Sequence, residues 1–213
     1  MPCVKFSKHS ALFLIFALPA TSSFAIDSAK DLRAARSSPI AQGAVVYKDN
    51  CVACHGEAGQ AADQSVSLNK INKQLTLEKI KNGNDQNHAF LDKLSEDQID
   101  QVAYYVSVID DAVKRGEGVF MGKCTLCHGV KGDGTGRASA MHNPPPANLT
   151  ISDKNDDYKR LIITYGGEYM GRNPAMPVWG TELSKQQIED VIKYTNSIRV
   201  RPLDTAELAE DTK

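Results

Sequence analysis

The sequence contains two copies of the motif Cys-x-x-Cys-His, at residues 51–55 and 124–128. In both copies a glycine lies eight residues before the first cysteine and an aromatic residue lies four residues before it. These residues are Gly43 and Tyr47 in the first copy and Gly116 and Phe120 in the second. The shared spacing indicates that the chain repeats one structural unit twice, and each unit must fold around its own motif.

A second pair of similar segments follows the motifs, with Leu-Ser-x-x-Gln-Ile beginning at Leu94 and at Leu183. Ser-x-x-Gln is the pattern of a capping box at a helix start, and apolar residues then recur at helical spacing. The loop between motif and closing helix is 16 residues longer in the second copy.

Further helices are predicted on both sides of each motif, and no strand is predicted. They cover residues 40–50, 75–81, 113–123 and 158–165. Gly83 is expected to end the helix over 75–81, and Gly166 the helix over 158–165. The expected fold class is all-α, with two tandem domains over 38–110 and 113–200 and an acidic tail over 201–213. A large apolar cofactor in each unit would compensate for the small core that 70–90 residues can build.

The motif itself points to that cofactor. Two thiols on one helical turn can each add to a vinyl group of the same porphyrin, and the histidine that follows then lies beneath the iron. Because Cys-x-x-Cys-His is the attachment signature of c-type haem, we predict two covalently bound haem c groups. Their attachment residues are Cys51, Cys54 and His55, and Cys124, Cys127 and His128.

Three other uses of such cysteines fit less well. Zinc-binding cysteine pairs usually lie about 15–20 residues apart, whereas 69 residues separate these cysteine pairs. A thioredoxin-like redox pair needs a βαβ setting, which the helical pattern lacks. Structural disulfides would leave the histidine after each pair unexplained.

The first 25 residues have the three parts of a secretory signal peptide: basic Lys5 and Lys8, an apolar run over 11–18, and small residues before a cleavage site at Ala25. The apolar run is shorter than the about 20 residues that span a bilayer. We therefore expect cleavage after Ala25, a periplasmic location and no stable membrane insertion, with an uncleaved anchor as the alternative.

Cleavage changes two counts. The remaining chain has 23 basic and 26 acidic residues, a formal charge of −3, so no strong basic field points to nucleic acid. Cys3 is also removed, and the four cysteines that remain all belong to the two motifs. No cysteine is left for a structural disulfide.

Each half resembles a class I cytochrome c domain, and residues 40–200 together resemble dihaem cytochromes of the cytochrome c4 type. In that family the sixth iron ligand is usually a methionine, followed by proline, just before the closing helix. The second half reads Met176-Pro177-Val178-Trp179 at this place, so the resemblance implies that Met176 is the sixth ligand of the second haem. Met141 and Met170 lack the adjacent proline.

Two more features of the second half follow the family. The run Pro144–Pro146 resembles the segment whose backbone carbonyl accepts a hydrogen bond from the proximal histidine, here His128. Trp179 would either line the haem edge or pack in the core.

The first half departs from the pattern, since no methionine lies between Cys54 and Met121. His88 occupies the corresponding place, one position nearer to the Leu-Ser of the closing helix than Met176 is in the second half. We therefore predict that His55 and His88 both ligate the first haem. The alternatives are an open iron, ligation by Lys93, or His142 reaching across from the second domain.

Replacing a thioether by an imidazole lowers the reduction potential of haem iron. The prediction is a low-potential first haem and a higher-potential second haem, with two six-coordinate irons that leave no site for a substrate. We therefore expect a carrier of electrons between exported or membrane-bound redox proteins, docking transiently. The alternatives are a dihaem oxidoreductase with a displaceable ligand at the first haem, acting on peroxide or sulfur compounds, and a haem-based sensor.

Overall fold

The computed structural model describes residues 33–35, 37–61, 67–83 and 93–200. Its α-helices are α1 (Pro39–Asn50), α2 (Val52–His55), α3 (Lys73–Asn82), α4 (Glu96–Ser107), α5 (Ala112–Lys123), α6 (Thr125–His128), α7 (Asp156–Tyr169) and α8 (Lys185–Ser197). Short 3₁₀ segments lie at Ser139–Met141, Leu149–Ile151 and Trp179–Thr181. None of the described residues forms a β-strand, so the predicted all-α fold is confirmed.

Both predicted capping boxes are present. The Ser95 hydroxyl accepts a hydrogen bond from the Gln98 backbone N–H at 3.2 Å, and the Gln98 side chain accepts from the Ser95 N–H at 2.9 Å. Ser184 and Gln187 make the same two bonds, each at 3.1 Å. These bonds satisfy N–H groups that a helix start otherwise leaves without partners, so α4 and α8 begin where the sequence predicts.

The two predicted glycine stops behave differently. Gly83 ends α3 with φ at 69°, a left-handed conformation that suits glycine. Gly166 has φ at 81° and interrupts the helical backbone. The chain then forms one more helical turn, so α7 ends at Tyr169. The sequence therefore predicts the break correctly and misses the extra turn.

In each domain the helix before the motif crosses the closing helix at a glycine. A Cβ added to Gly43 would lie 2.2 Å from the carbonyl oxygen of Gln101, and one added to Gly116 would lie 2.0 Å from that of Asp190. Both distances are far below van der Waals contact, so only glycine lets these backbones approach so closely. This contact explains the glycine that lies eight residues before each motif.

The aromatic residue of each repeat packs against a tyrosine of the closing helix. The ring centroids of Tyr47 and Tyr105 are 5.4 Å apart, and those of Phe120 and Tyr194 are 5.1 Å apart, both pairs tilted. Each pair lies within a separate buried apolar cluster of its own domain. The repeat in the sequence is therefore a repeat of one helix-crossing geometry.

The two domains meet through α1 and α5, and the chain between α4 and α5 is short. A Cβ added to Gly118 on α5 would lie 3.3 Å from the Ile40 carbonyl oxygen of α1. At the same junction, buried Arg115 donates a hydrogen bond from Nη1 to the Ile109 carbonyl oxygen at 2.6 Å. Its Nε and Nη2 donate to the Asp190 carboxylate at 2.7 and 2.9 Å.

Three predicted features lie outside the described residues: the signal peptide over 1–25, the tail over 201–213 and the proposed ligand His88. Among the residues that are described, no helix is both long and apolar enough to cross a membrane.

Candidate haem sites

Each Cys-x-x-Cys-His motif forms a single helical turn. The His55 backbone N–H donates to the Cys51 carbonyl oxygen at 2.9 Å, and the His128 N–H donates to that of Cys124 at the same distance. The turns α2 and α6 then end at Gly56 and Gly129, with φ at 71° and 76°. Two thiols and an imidazole are thus gathered on one turn, the arrangement that covalent haem attachment requires.

No disulfide joins the four cysteines of these turns. Burial raises the pKa of Cys51 to about 11 and that of Cys124 to about 12. No group of three or more His, Cys, Asp or Glu side chains suited to a metal ion occurs in the described parts of the chain. The two cysteines and the histidine of each turn match the attachment pattern of haem c.

The proximal histidine of the second site is oriented by the backbone. Nδ1 of His128 lies 3.0 Å from the carbonyl oxygen of Ala147. A carbonyl can only accept, so Nδ1 carries the proton and Nε2 keeps its lone pair for iron. Burial also lowers the pKa of His128, although the bond to Ala147 opposes this effect. Both the bond and the neutral ring suit an iron ligand.

The acceptor differs from the one expected. The sequence placed it within Pro144–Pro146, and the structure places it on Ala147, the residue immediately after that run. The proline run still serves the site indirectly, since the Pro144 carbonyl oxygen accepts from the Asn173 side chain at 2.9 Å. Asn173 in turn lies in the loop that carries Met176.

Met176 is half-buried in the loop between α7 and the 3₁₀ turn at Trp179–Thr181. Its carbonyl oxygen accepts from the Gly167 N–H at 2.9 Å. A Cβ added to Gly167 would lie 2.0 Å from the Asn173 carbonyl oxygen and 3.0 Å from the Met176 Cβ. The loop that carries Met176 therefore packs against the last turn of α7. Gly167 permits this close approach because it has no side chain.

The other residues singled out in the second half have different surroundings. Met141 is 80% exposed, which disfavours it as an axial ligand. Trp179 packs partly buried against the second core cluster, and the Lys123 ammonium lies 5.6 Å from its ring centroid. This contact is ordinary core-edge packing with a cation–π component.

The first site is only partly described. His55 is half-buried at the end of α2, whereas His88 lies outside the described residues. Lys93 is exposed just before α4, and His142 is half-buried in the second domain. The choice among these ligands therefore stays a prediction.

Two tandem helical units, each with a haem-attachment turn between a leading helix and a capped closing helix, define a protein with two c-type cytochrome domains. The family described as "Cytochrome c" matches residues 113–199. The family described as "Cytochrome C oxidase, cbb3-type, subunit III" matches residues 38–106. Such domains hold haem c covalently through its iron-bearing porphyrin, so the prediction of two haem c groups is confirmed.

Similar proteins agree with this class. The cytochrome c6 of Cladophora glomerata is 39% identical over 77 residues, which cover 32% of this chain and 85% of that protein. The cbb3-type cytochrome c oxidase subunit FixP of Azorhizobium caulinodans is 29% identical over 188 residues, covering 74% of this chain and 59% of that protein. The subunit CcoP of Azospirillum brasilense is 25% identical over 208 residues, covering 85% and 68%.

The chain therefore belongs to the c-type cytochromes and carries two class I domains in tandem. It spans about three fifths of the length of the two FixP subunits that it matches.

Proposed function

We propose that this protein carries electrons between exported or membrane-bound redox proteins, as a periplasmic dihaem cytochrome with the general layout of cytochrome c4. Bound haem c supplies an iron that takes up and releases one electron. The polypeptide would attach each porphyrin, provide its axial ligands and orient them.

The second site carries this proposal. The hydrogen bond from His128 Nδ1 to Ala147 at 3.0 Å fixes one imidazole, and the loop seated on Gly167 holds Met176 by backbone contacts. With His128 and Met176 as ligands, the iron of the second haem would have no open position for a substrate. A six-coordinate site that changes little between oxidation states is suited to electron transfer and poorly suited to catalysis.

The first site would differ in its sixth ligand. With His55 and His88 as axial ligands, it would have a lower potential than a His128 and Met176 site. Electrons would then pass from the first domain to the second within one molecule.

The partner is proposed from the relatives. FixP and CcoP are named as subunits of cbb3-type cytochrome c oxidases, and the first domain matches the family named for subunit III of such an oxidase. These names support a cbb3-type cytochrome c oxidase as the electron acceptor. The formal charge of −3 after cleavage fits a weak, transient docking surface better than a strongly charged one.

The test is to record absorption and EPR spectra of the oxidised holoprotein, together with a redox titration, for four variants. His88→Ala should alter only the first haem and Met176→Ala only the second. Met141→Ala is the matched control for Met176→Ala, and His142→Ala tests the alternative histidine ligand of the first haem.

Each outcome has a clear meaning. If His88→Ala leaves both spectra unchanged, His88 is not a ligand, and a change with His142→Ala would identify the ligand from the second domain. A high-spin first haem in the unmodified protein, with turnover of peroxide or a sulfur compound, would replace the carrier by the oxidoreductase alternative.

A further inference from the structure

One hydrogen bond joins the first attachment segment to the closing helix of the other domain. The Ser184 hydroxyl donates to Oε2 of Glu57, across 127 residues of chain. Glu57 lies two residues after His55, and Ser184 is the N-cap of α8, which begins just after the Met176 loop. This contact therefore connects the segment that would hold the first haem with the segment that would hold the second.

The contact is compatible with the capping role of Ser184. A hydroxyl has one proton and two lone pairs. Ser184 uses a lone pair to accept from the Gln187 N–H at 3.1 Å and uses its proton for Glu57. The cap and the interdomain bond are thus separate functions of one side chain.

The repeat shows that the cap does not need this bond. Ser95 occupies the same position in the first domain, caps α4 through Gln98 at 3.2 Å and lies exposed. The residue of the second repeat that corresponds to Glu57 is Val130, which has no side-chain acceptor. The contact is therefore one-sided and is not part of the shared fold.

The surroundings place this bond at the boundary of the domain interface. A cavity of about 150 Å³ lies between the domains, and Glu57 and Ser184 line it together with Tyr105, Arg115 and Asp190. The Arg115 guanidinium and the Asp190 carboxylate satisfy each other there. The carboxylate of Glu57 is bonded instead to Ser184, a residue of the other domain.

We propose that Glu57 and Ser184 are positioning residues for electron passage between the two halves, an inference that rests on the proposed carrier function. Their hydrogen bond holds the first attachment segment in one orientation relative to the loop before α8. Since electron transfer between cofactors depends steeply on their separation, a single held orientation keeps the exchange rate high and uniform.

The test uses Ser184→Asp in the complete holoprotein. Aspartate is as good an N-cap as serine, so α8 keeps its start, but two carboxylates now face each other. Adding Glu57→Gln to this variant restores a hydrogen bond, because the amide donates to the new carboxylate. Ser95→Asp is the matched control, since it makes the same change at the equivalent cap.

Two measurements are made: the iron–iron distance distribution by pulsed EPR of the ferric protein, and the interhaem electron-exchange rate after photoreduction. Ser184→Asp should broaden the distance distribution. It should also lower the exchange rate by about fivefold, because losing a weak hydrogen bond shifts the equilibrium between the held and the released orientation by about that factor. Ser184→Asp with Glu57→Gln should return both to the unmodified values, and Ser95→Asp should change neither.

An unaltered distance distribution in Ser184→Asp overturns the inference, and so does an equal broadening in Ser95→Asp. The distance measurement needs no redox partner. The absence of electron exchange with any partner would therefore refute the proposed function, whereas an unaltered distance distribution in Ser184→Asp would refute this inference alone.

Discussion

Arg115 and Asp190 form an ion pair that is buried where the domains meet. Their side chains are 8% and 2% exposed, and Asp190 also accepts from the Gln186 side chain at 2.9 Å. Removing one partner of such a pair leaves a charge in a site with few other partners. Replacing Arg115 by Met should therefore lower the free energy of unfolding by about 3–5 kcal/mol.

The first domain supplies the matched comparison. At the positions equivalent to Arg115 and Asp190 it has Gln42 and Gln101, around the same glycine crossing. The double change Arg115→Gln with Asp190→Gln installs that neutral pair in the second domain. Because no buried charge is left without a partner, the double variant should lose less than half of what Arg115→Met loses.

Guanidinium unfolding of the holoprotein, followed by far-UV circular dichroism, measures these differences, and an unchanged slope confirms that the same surface is exposed. Single changes Arg115→Gln and Asp190→Gln complete a double-mutant cycle. If the effects of the two single changes simply add in the double variant, the unpaired buried charge is not the cause of the loss.

Three more predictions follow from close contacts and burial. Gly116→Ala should lower the free energy of unfolding by about 3 kcal/mol, because the added Cβ has no room. Gly122→Ala places its Cβ in open space and should change stability by less than about 1 kcal/mol. Thermal unfolding of the two variants measures the difference. Gly167→Ala should displace the Met176 loop and lower the potential of the second haem alone, which a redox titration detects. Burial raises the pKa of Tyr105 to about 12, so the folded protein holds this proton more tightly than the unfolded chain does. Stability should therefore fall above about pH 10. Tyr105→Phe should lessen that fall, which unfolding midpoints measured at alkaline pH would show.

Local features of the fold could be read from the sequence. Both capping boxes and the helices on either side of each motif depend on residues close together in the chain, so their patterns are visible directly. The two motifs also predicted the attachment turns. The extra turn of α7 after Gly166 was missed because a glycine break does not reveal whether the chain resumes a helix.

Contacts between distant residues could not be predicted in this way. Arg115 and Asp190 are 75 residues apart, and each alone resembles an ordinary surface charge. The acceptor for His128 was expected within Pro144–Pro146 and is Ala147, because the sequence identifies the proline run but not which carbonyl points at the ring. The repeat does contain one further signal in the sequence. The glycine before each motif marks a helix crossing, so the residues around that crossing can be compared between the two halves.

The junction between the domains has a kinetic consequence. α4 ends at Ser107 and α5 begins at Ala112, so the two halves are tethered by a few residues and meet at a high effective concentration. For an electron carrier, exchange between the halves is then a first-order process that dilution does not slow. Exchange with a separate partner is second-order, so its rate falls in proportion to the protein concentration. At low protein concentration the two halves would therefore equilibrate with each other before either reacts with a partner.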